Sequence, residues 1–259
     1  MPKNMLEVVK DALSPDDRIL ITGATGWLGR STSSLLENLG LPMYLTSSKG
    51  AVVRETGKTE TFALSDFRAI RSFGPTIVID CAFMTRDKIN NVGIKSFLDT
   101  NYSIIEVSKE LARIQSVRKF VAISSGAAKR FVTCKGTDPS SDPYGFLKAE
   151  YEKTLLESDD SGSRKIVISR PYSLSGRFVK NRTSYAIFDI IDQALLGKEV
   201  VLRSKGQVFR RYVDAQEFMA LSIASPPSEK PLESGGELIE LRELAELIIE
   251  SLASNARLK

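Results

Sequence analysis

The spacing of three glycines in Gly23-Ala24-Thr25-Gly26-Trp27-Leu28-Gly29 constrains the fold more than any other feature of the chain. The run joins an apolar stretch, Arg18-Ile19-Leu20-Ile21-Thr22, to a helix-like stretch from Leu28 to Leu39. A strand that passes directly into a helix leaves the first helical N–H groups aimed at the turn, and these amides together with the helix dipole attract an anion. A Cβ at Gly23 or Gly26 would obstruct the approach of a pyrophosphate. The sequence therefore predicts a βαβ unit that binds a dinucleotide, with Gly23, Thr25, Gly26, Trp27, Leu28 and Gly29 around its phosphates. A tight strand-to-helix turn without a ligand is the plainer reading of the same residues.

Short apolar runs alternate with longer helical ones along the first two thirds of the chain. Strands are expected at 18–22, 43–46, 61–64, 76–81, 119–124 and 165–169, and helices at 28–39, 65–72, 99–114 and 144–157. Ile104, Val107, Leu111 and Ile114 form one helical stripe. Parallel strands need crossover connections, so this alternation predicts an α/β fold with a doubly wound parallel sheet and helices on both faces. Beyond Pro171 the regularity fades. A basic loop at 177–183, a helix at 184–196, a short strand at 200–202, a breaker-rich loop at 225–231 and a last helix at 241–252 suit a small C-terminal lobe. The expected division is a dinucleotide-binding domain over 1–174 and a substrate-binding lobe over 175–259, partly interleaved with the core.

Composition narrows the function. With 259 residues, 42% hydrophobic and 26% charged, the chain can bury a full core. Its apolar runs fall short of the roughly 20 residues a membrane span requires, and Met1 to Glu7 lacks the apolar core of a signal peptide. A cytosolic protein with no membrane partner is expected. The two cysteines, Cys81 and Cys134, form no metal-type or disulfide framework, and no metal is expected. A net charge of +4, with basic residues scattered, favours an anionic small molecule over nucleic acid. The absence of histidine excludes Ser-His-Asp and Cys-His catalysis and histidine-ligated zinc within this chain. Proton transfer must therefore fall to Tyr, Lys, Asp, Glu or water.

The second strand ends in Thr46-Ser47-Ser48-Lys49, where an NAD-binding unit usually places a carboxylate on the ribose. Hydroxyls and a cation suit a 2′-phosphate better, so NADP is expected, with NAD as the alternative. An ordinary polar turn gives the same residues. Further on, Tyr144-Gly145-Phe146-Leu147-Lys148 sets a phenol and an ammonium on one helical face. An ammonium close to a phenol lowers its pKa by about 1–3 units, bringing Tyr144 toward the range of a working acid or base. The spacing arises readily by chance, and it gains weight from the strand that ends at Ile123-Ser124-Ser125-Gly126, since ligands of α/β folds bind at carboxyl ends of strands.

Taken together, Thr22-Gly-x-x-Gly-x-x-Gly29, Asn101, Ser124-Ser125, Tyr144-x-x-x-Lys148 and Arg170-Pro171 resemble the extended short-chain dehydrogenase/reductase family, over about 18–252. The nearest likeness is to its nucleotide-sugar epimerases, dehydratases and ketoreductases. The resemblance implies a Rossmann fold and hydride transfer between NADP or NAD and a carbon of a nucleotide-sugar substrate. It makes Tyr144 the acid/base, Lys148 the holder of Tyr144 and the nicotinamide ribose, and Ser125 the donor to the reacting oxygen, with Ser124 beside it. It puts Ala82, Asn101 and Pro171 near the cofactor. Tyr172, Arg177 and Arg210 fall toward the substrate, with Lys180 and Glu217 nearby and Arg210 on the diphosphate. A homodimer through the helices of Asn101 and Tyr144 is a further implication. Departures are Ala128-Lys129-Arg130 for the family's Val-Tyr-Gly, Ala63 for an aspartate, a short C-terminal lobe, and Gly126-Ala127 where dehydratases carry acids. Dehydration is thereby disfavoured, leaving 4-epimerisation and ketone reduction. A cofactor sensor or scaffold that keeps the fold without turnover is the reading from another class.

Overall fold

A computed structural model describes residues 5–48, 51–54, 57–134, 137–158, 165–197, 199–204, 206–228 and 230–258. In chain order the elements are α1 (Met5–Ala12), β1 (Ile19–Thr22), α2 (Trp27–Leu36), β2 (Met43–Leu45), β3 (Ala51–Arg54), β4 (Gly57–Glu60), α3 (Phe67–Phe73) and β5 (Ile77–Asp80). There follow α4 (Ile89–Val92), α5 (Ile94–Ala112), β6 (Lys119–Ile123), α6 (Lys129–Thr133), α7 (Pro143–Glu157), β7 (Lys165–Arg170) and β8 (Ser173–Ser175). The C-terminal part contains α8 (Ala186–Leu195), β9 (Phe209–Asp214), α9 (Ala215–Ala224), β10 (Leu232–Glu233), β11 (Glu237–Glu240) and α10 (Leu241–Ser251).

Six strands form a parallel sheet in the order β10-β7-β6-β5-β1-β2. Its central strands are buried on both faces, and their side chains divide by parity as a pleat requires. Ile19, Ile21, Ile77, Ile79, Val121 and Ile123 join a core with Leu35 and Leu36 of α2 and Phe218, Met219 and Ile223 of α9. Leu20, Val78, Phe120 and Ala122 face the other way, onto Phe97 and Ile105 of α5 and Leu147, Tyr151 and Leu155 of α7. The sheet is thus doubly wound as expected. A second sheet, β11-β9-β8, and a small core of Ile190, Ala194, Val200, Leu241 and Ala245 make up the C-terminal part. That part returns to the main body twice, as α9 packed on α1 and α2 and as β10 paired with β7.

Two expected strands are corrected. The stretch 61–64 contributes one bridge, Phe62 to Thr46, because the chain turns at Ala63 (Asp66 N–H to Ala63 O, 3.1 Å) into the cap of α3. The stretch 200–202 likewise holds a single bridge, Val200 to Leu258, too short to build a ladder. Neither α1 nor the hairpin β3–β4 is foreshadowed by the apolar runs. Among the described residues, no helix is long and apolar enough to cross a membrane.

Candidate active site

The glycine turn is built against protein backbone as much as for a ligand. Gly23 has φ +59°, and a Cβ there would lie 2.8 Å from the Cys81 carbonyl and 2.9 Å from Ala82 Cα. One at Gly29 would lie 2.3 Å from the Gly23 oxygen, so the third glycine lets α2 close on the turn. Gly26 donates to Gly23 O at 2.8 Å, and a Cβ on it would come within 3.1 Å of the same oxygen. Carboxylates cap α3 (Asp66), α7 (Asp142), α9 (Asp214) and α10 (Glu240), whereas α2 begins at Gly26 with no side-chain cap and no acid in its first turn. Its positive end is left to an anion, and a cradle that only glycines can line fits a dinucleotide's phosphates.

Neighbouring loops are tied to this turn. Thr25 Oγ1 and Ser47 Oγ lie 2.6 Å apart, and Ala24 donates to Thr46 O at 2.9 Å, which binds the turn to the end of β2. Ser48 is exposed; Lys49 lies outside the described residues. Trp27 meets Tyr185 and Phe188 edge-on, with centroids 4.9 and 5.6 Å away, while Leu28 packs on the core beneath. At the end of β5, Thr22 donates to buried Asp80 and accepts from Ala82 N–H at 3.0 Å, while Tyr151 donates to Asp80 at 2.7 Å. Asn101 is fully buried. Its oxygen accepts from Met84 N–H at 2.8 Å and its nitrogen donates to Met84 O at 3.2 Å, so it acts on the site by holding the loop at 82–84.

Ser125 and Tyr144 meet at the carboxyl edge of β6. The Ser125 hydroxyl accepts from Ala127 N–H at 3.2 Å and is close enough to act on the Tyr144 phenol, favouring its phenolate. Tyr144 stands edge-on to Phe83 at 5.9 Å. Lys148 is buried one turn along α7, donating to Ile123 O at 2.7 Å with its ammonium 3.6 Å from the Phe83 ring centroid. The expected lowering of the phenol's pKa by Lys148 is corrected here. Burial pushes Tyr144 up to about 12, against the pull of Ser125 and Arg86. The same burial pushes Lys148 down to about 7, against the pull of Asp80, Cys81 and Glu152.

This has a consequence for stability. Between its folded value of about 7 and its ordinary 10.5, Lys148 binds more proton unfolded than folded, so stability rises with pH through that window. Above pH 9 the trend is opposed, since burial holds the Cys81 thiol protonated up to about 12. The chain has no histidine, so no imidazole obscures the interval. Urea unfolding at pH 7, 8 and 9 is expected to show a gain approaching 1.4 kcal/mol per unit, and Lys148→Met should flatten it. A wild-type profile as flat as the variant's would refute a neutral buried lysine.

The sequence reading missed a buried ion pair behind the serines. Glu152, on the Tyr144 and Lys148 face of α7, accepts from Arg170 Nε at 2.8 Å and Nη2 at 2.6 Å, and also from Ser124. The signal available was position: 144, 148 and 152 repeat at helical spacing. Arg170 reaches on to Glu233 of β10 at 3.6 Å, which pairs with Lys129 at 3.1 Å. Pro171 O accepts from Gly126 N–H at 2.9 Å. Tyr172 lies over Gly126, where a Cβ would sit 2.4 Å from its ring. The lobe residues stand further out. Arg177 lies 5.1 Å from the Phe178 ring centroid, and Lys180 and Glu217 are exposed. Arg210, on β9, lines a cavity of about 200 Å³ with Asp189, Arg203 and Leu241. Ala186 also lines that cavity, and the preceding residue, Tyr185, has a phenol close enough to act on Tyr144. Among the described residues, no cluster of His, Cys, Asp and Glu could hold a metal ion.

Residues 19–225 match the profile of the NAD dependent epimerase/dehydratase family. No curated protein sequence matches the chain. Among solved structures, an epimerase from Methanothermobacter thermautotrophicus is 19% identical with a TM-score of 0.72, over 100% of this chain and 83% of the other. UDP-glucose 4-epimerase from Thermotoga maritima, solved with UDP-glucose, is 19% identical with a TM-score of 0.70, over 93% and 85% of the two chains. A GDP-L-fucose synthetase from Naegleria fowleri bound to NADP is 16% identical with a TM-score of 0.67, over 95% and 81%. At such identities the likeness is one of fold.

Proposed function

This chain belongs to the NAD dependent epimerase/dehydratase family, and from that premise we propose that it moves a hydride at a sugar carbon of a nucleotide sugar, as a 4-epimerase or 4-ketoreductase. The observation that carries the reading is the Ser125–Tyr144 hydroxyl pair at the carboxyl edge of β6, beside a glycine cradle with an uncapped helix start. Gly23, Gly26 and the first turn of α2 would hold the diphosphate of a nicotinamide dinucleotide, with Ser48 toward its adenosine ribose and Ala82, Asn101, Ser124, Lys148 and Pro171 toward its other end. When bound, that group supplies or accepts the hydride. Ser125 donates to the carbonyl oxygen, and Tyr144, protonated at neutral pH, passes its proton to the same oxygen as the carbon is reduced. The phenolate then takes a proton from water; in the oxidative direction it removes the substrate's hydroxyl proton.

An acid-free end of β2 supports NADP as the preferred form. The cavity of Arg210 and Arg203 is the diphosphate end of the substrate site, with Tyr172 and Arg177 at its approaches. The lobe over 175–259 then acts as substrate domain. A cytosolic homodimer through α5 and α7 completes the reading. The purified protein, given NADPH or NADH and a panel of UDP-, GDP- and dTDP-linked 4-ketosugars, should consume NADPH in preference to NADH. An epimerase would instead interconvert the parent sugars without net loss of cofactor. Silence across the panel in both assays would leave the fold as a sensor or scaffold and defeat the enzyme assignment.

A further inference from the structure

We propose that Arg86 is a positioning residue for the reaction, holding a positive charge against Tyr144 from the turn after β5. The inference rests on Tyr144 as the acid/base. Its first support is placement. Asn101 pins Met84 from both sides of its peptide, fixing the backbone two residues before Arg86. From there the guanidinium donates to Asp142 at 2.7 Å, and Asp142 in turn accepts from Gly145 N–H at 3.1 Å as the cap of α7. Because the cap stands two residues before Tyr144, the tether draws the guanidinium over the phenol ring, 5.6 Å from its centroid.

The second support is an inventory of what faces Tyr144. Ser125 approaches from the loop after β6, Tyr185 from the segment before α8, Asp142 from the phenol's own helix, and Arg86 from the β5 turn. Phe83 adds an uncharged ring. Asp142 and Tyr185 disfavour a phenolate, and Ser125 and Arg86 favour it. Lys148 donates to Ile123 O and stands over the Phe83 ring. Arg86 therefore brings a cation to the phenol ring, and it also pairs with a carboxylate that disfavours the phenolate. Removing it has a double effect, deleting a cation and exposing Tyr144 to Asp142.

The effect can be read with and without turnover. Tetranitromethane modifies the phenolate, and the tryptic peptide 136–148 carries Tyr144 as its sole tyrosine. Its nitration, followed by mass spectrometry from pH 7 to 10, should slow about tenfold in Arg86→Gln, the size of a one-unit rise in phenol pKa. Arg86→Lys should keep the wild-type rate, and Arg86→Gln combined with Asp142→Asn should recover most of it. In the 4-ketosugar assay, Arg86→Gln should lower kcat several-fold while KM stays within twofold. Nitration unchanged in Arg86→Gln overturns the proposal, as does an unchanged kcat or a loss confined to KM. A wild-type protein inactive on the whole panel would count against the enzymatic reading, while the nitration series would still decide the charge.

Discussion

Tyr144→Phe is expected to lower turnover by at least about 100-fold and to leave dinucleotide affinity within about twofold. A positioned acid/base contributes on the order of 10²–10⁴ in rate, and this substitution removes one oxygen from the centre of the site. The fold should tolerate it. The ring keeps its edge contact with Phe83, and Ser125 keeps its bond to the Ala127 N–H. Binding should survive because the cradle at Gly23, Gly26 and Gly29 lies on another loop. Initial rates with NADPH and the best ketosugar, beside calorimetric titration of NADPH, separate the two quantities. Turnover retained within tenfold would move the acid/base to another group; lost affinity would mean that the phenol serves binding.

The largest effect on stability is expected at Arg170. Its side chain and that of Glu152 are 6% and 5% exposed, joined by two hydrogen bonds with a third from Ser124. Arg170→Met would leave the Glu152 carboxylate buried without its partner, and breaking such a pair from one side costs about 3–5 kcal/mol. For a chain of this length that is a fall in Tm of roughly 10 °C. Arg170→Met combined with Glu152→Leu should recover most of the loss, because the desolvation cost of both charges disappears together. Urea unfolding of the three proteins decides it. A single variant within 1 kcal/mol of wild type would show that water reaches the pair. The linkage extends to Glu233 and Lys129, so the variant should also loosen β10 and its hold on Tyr172.

How far the sequence was legible follows from which forces are periodic. The five longer core strands and α2, α3, α5 and α7 are written in apolar runs of period two or 3.6, and they appear within a few residues of their expected places. The buried face of α5 was harder to read, since it includes Asn101 and Ser108, polar residues that a hydrophobic stripe passes over. Strands β8, β10 and β11 are short, and β9 is largely exposed, so with pairing partners distant in sequence local pattern carries little of them. At the candidate site, glycine spacing and Tyr-x-x-x-Lys point to the turn after β1 and the start of α7, because backbone clearance and helical repeat are local properties. The direction of Lys148, the Glu152–Arg170 pair and the position of Arg86 depend on contacts between separate elements, and no run of residues encodes them.

The chain contains a single tryptophan, and the fold places it at position 27 in the phosphate turn, edge-on to Tyr185 and Phe188. Its fluorescence therefore has one origin, within the cradle itself. Indole emission overlaps the absorption of reduced nicotinamide, so a dinucleotide seated there would quench the protein's light and emit in its place. Cofactor arrival, its rate of departure and the preference between its two forms could then be followed without a label, a substrate or an assay of the chemistry.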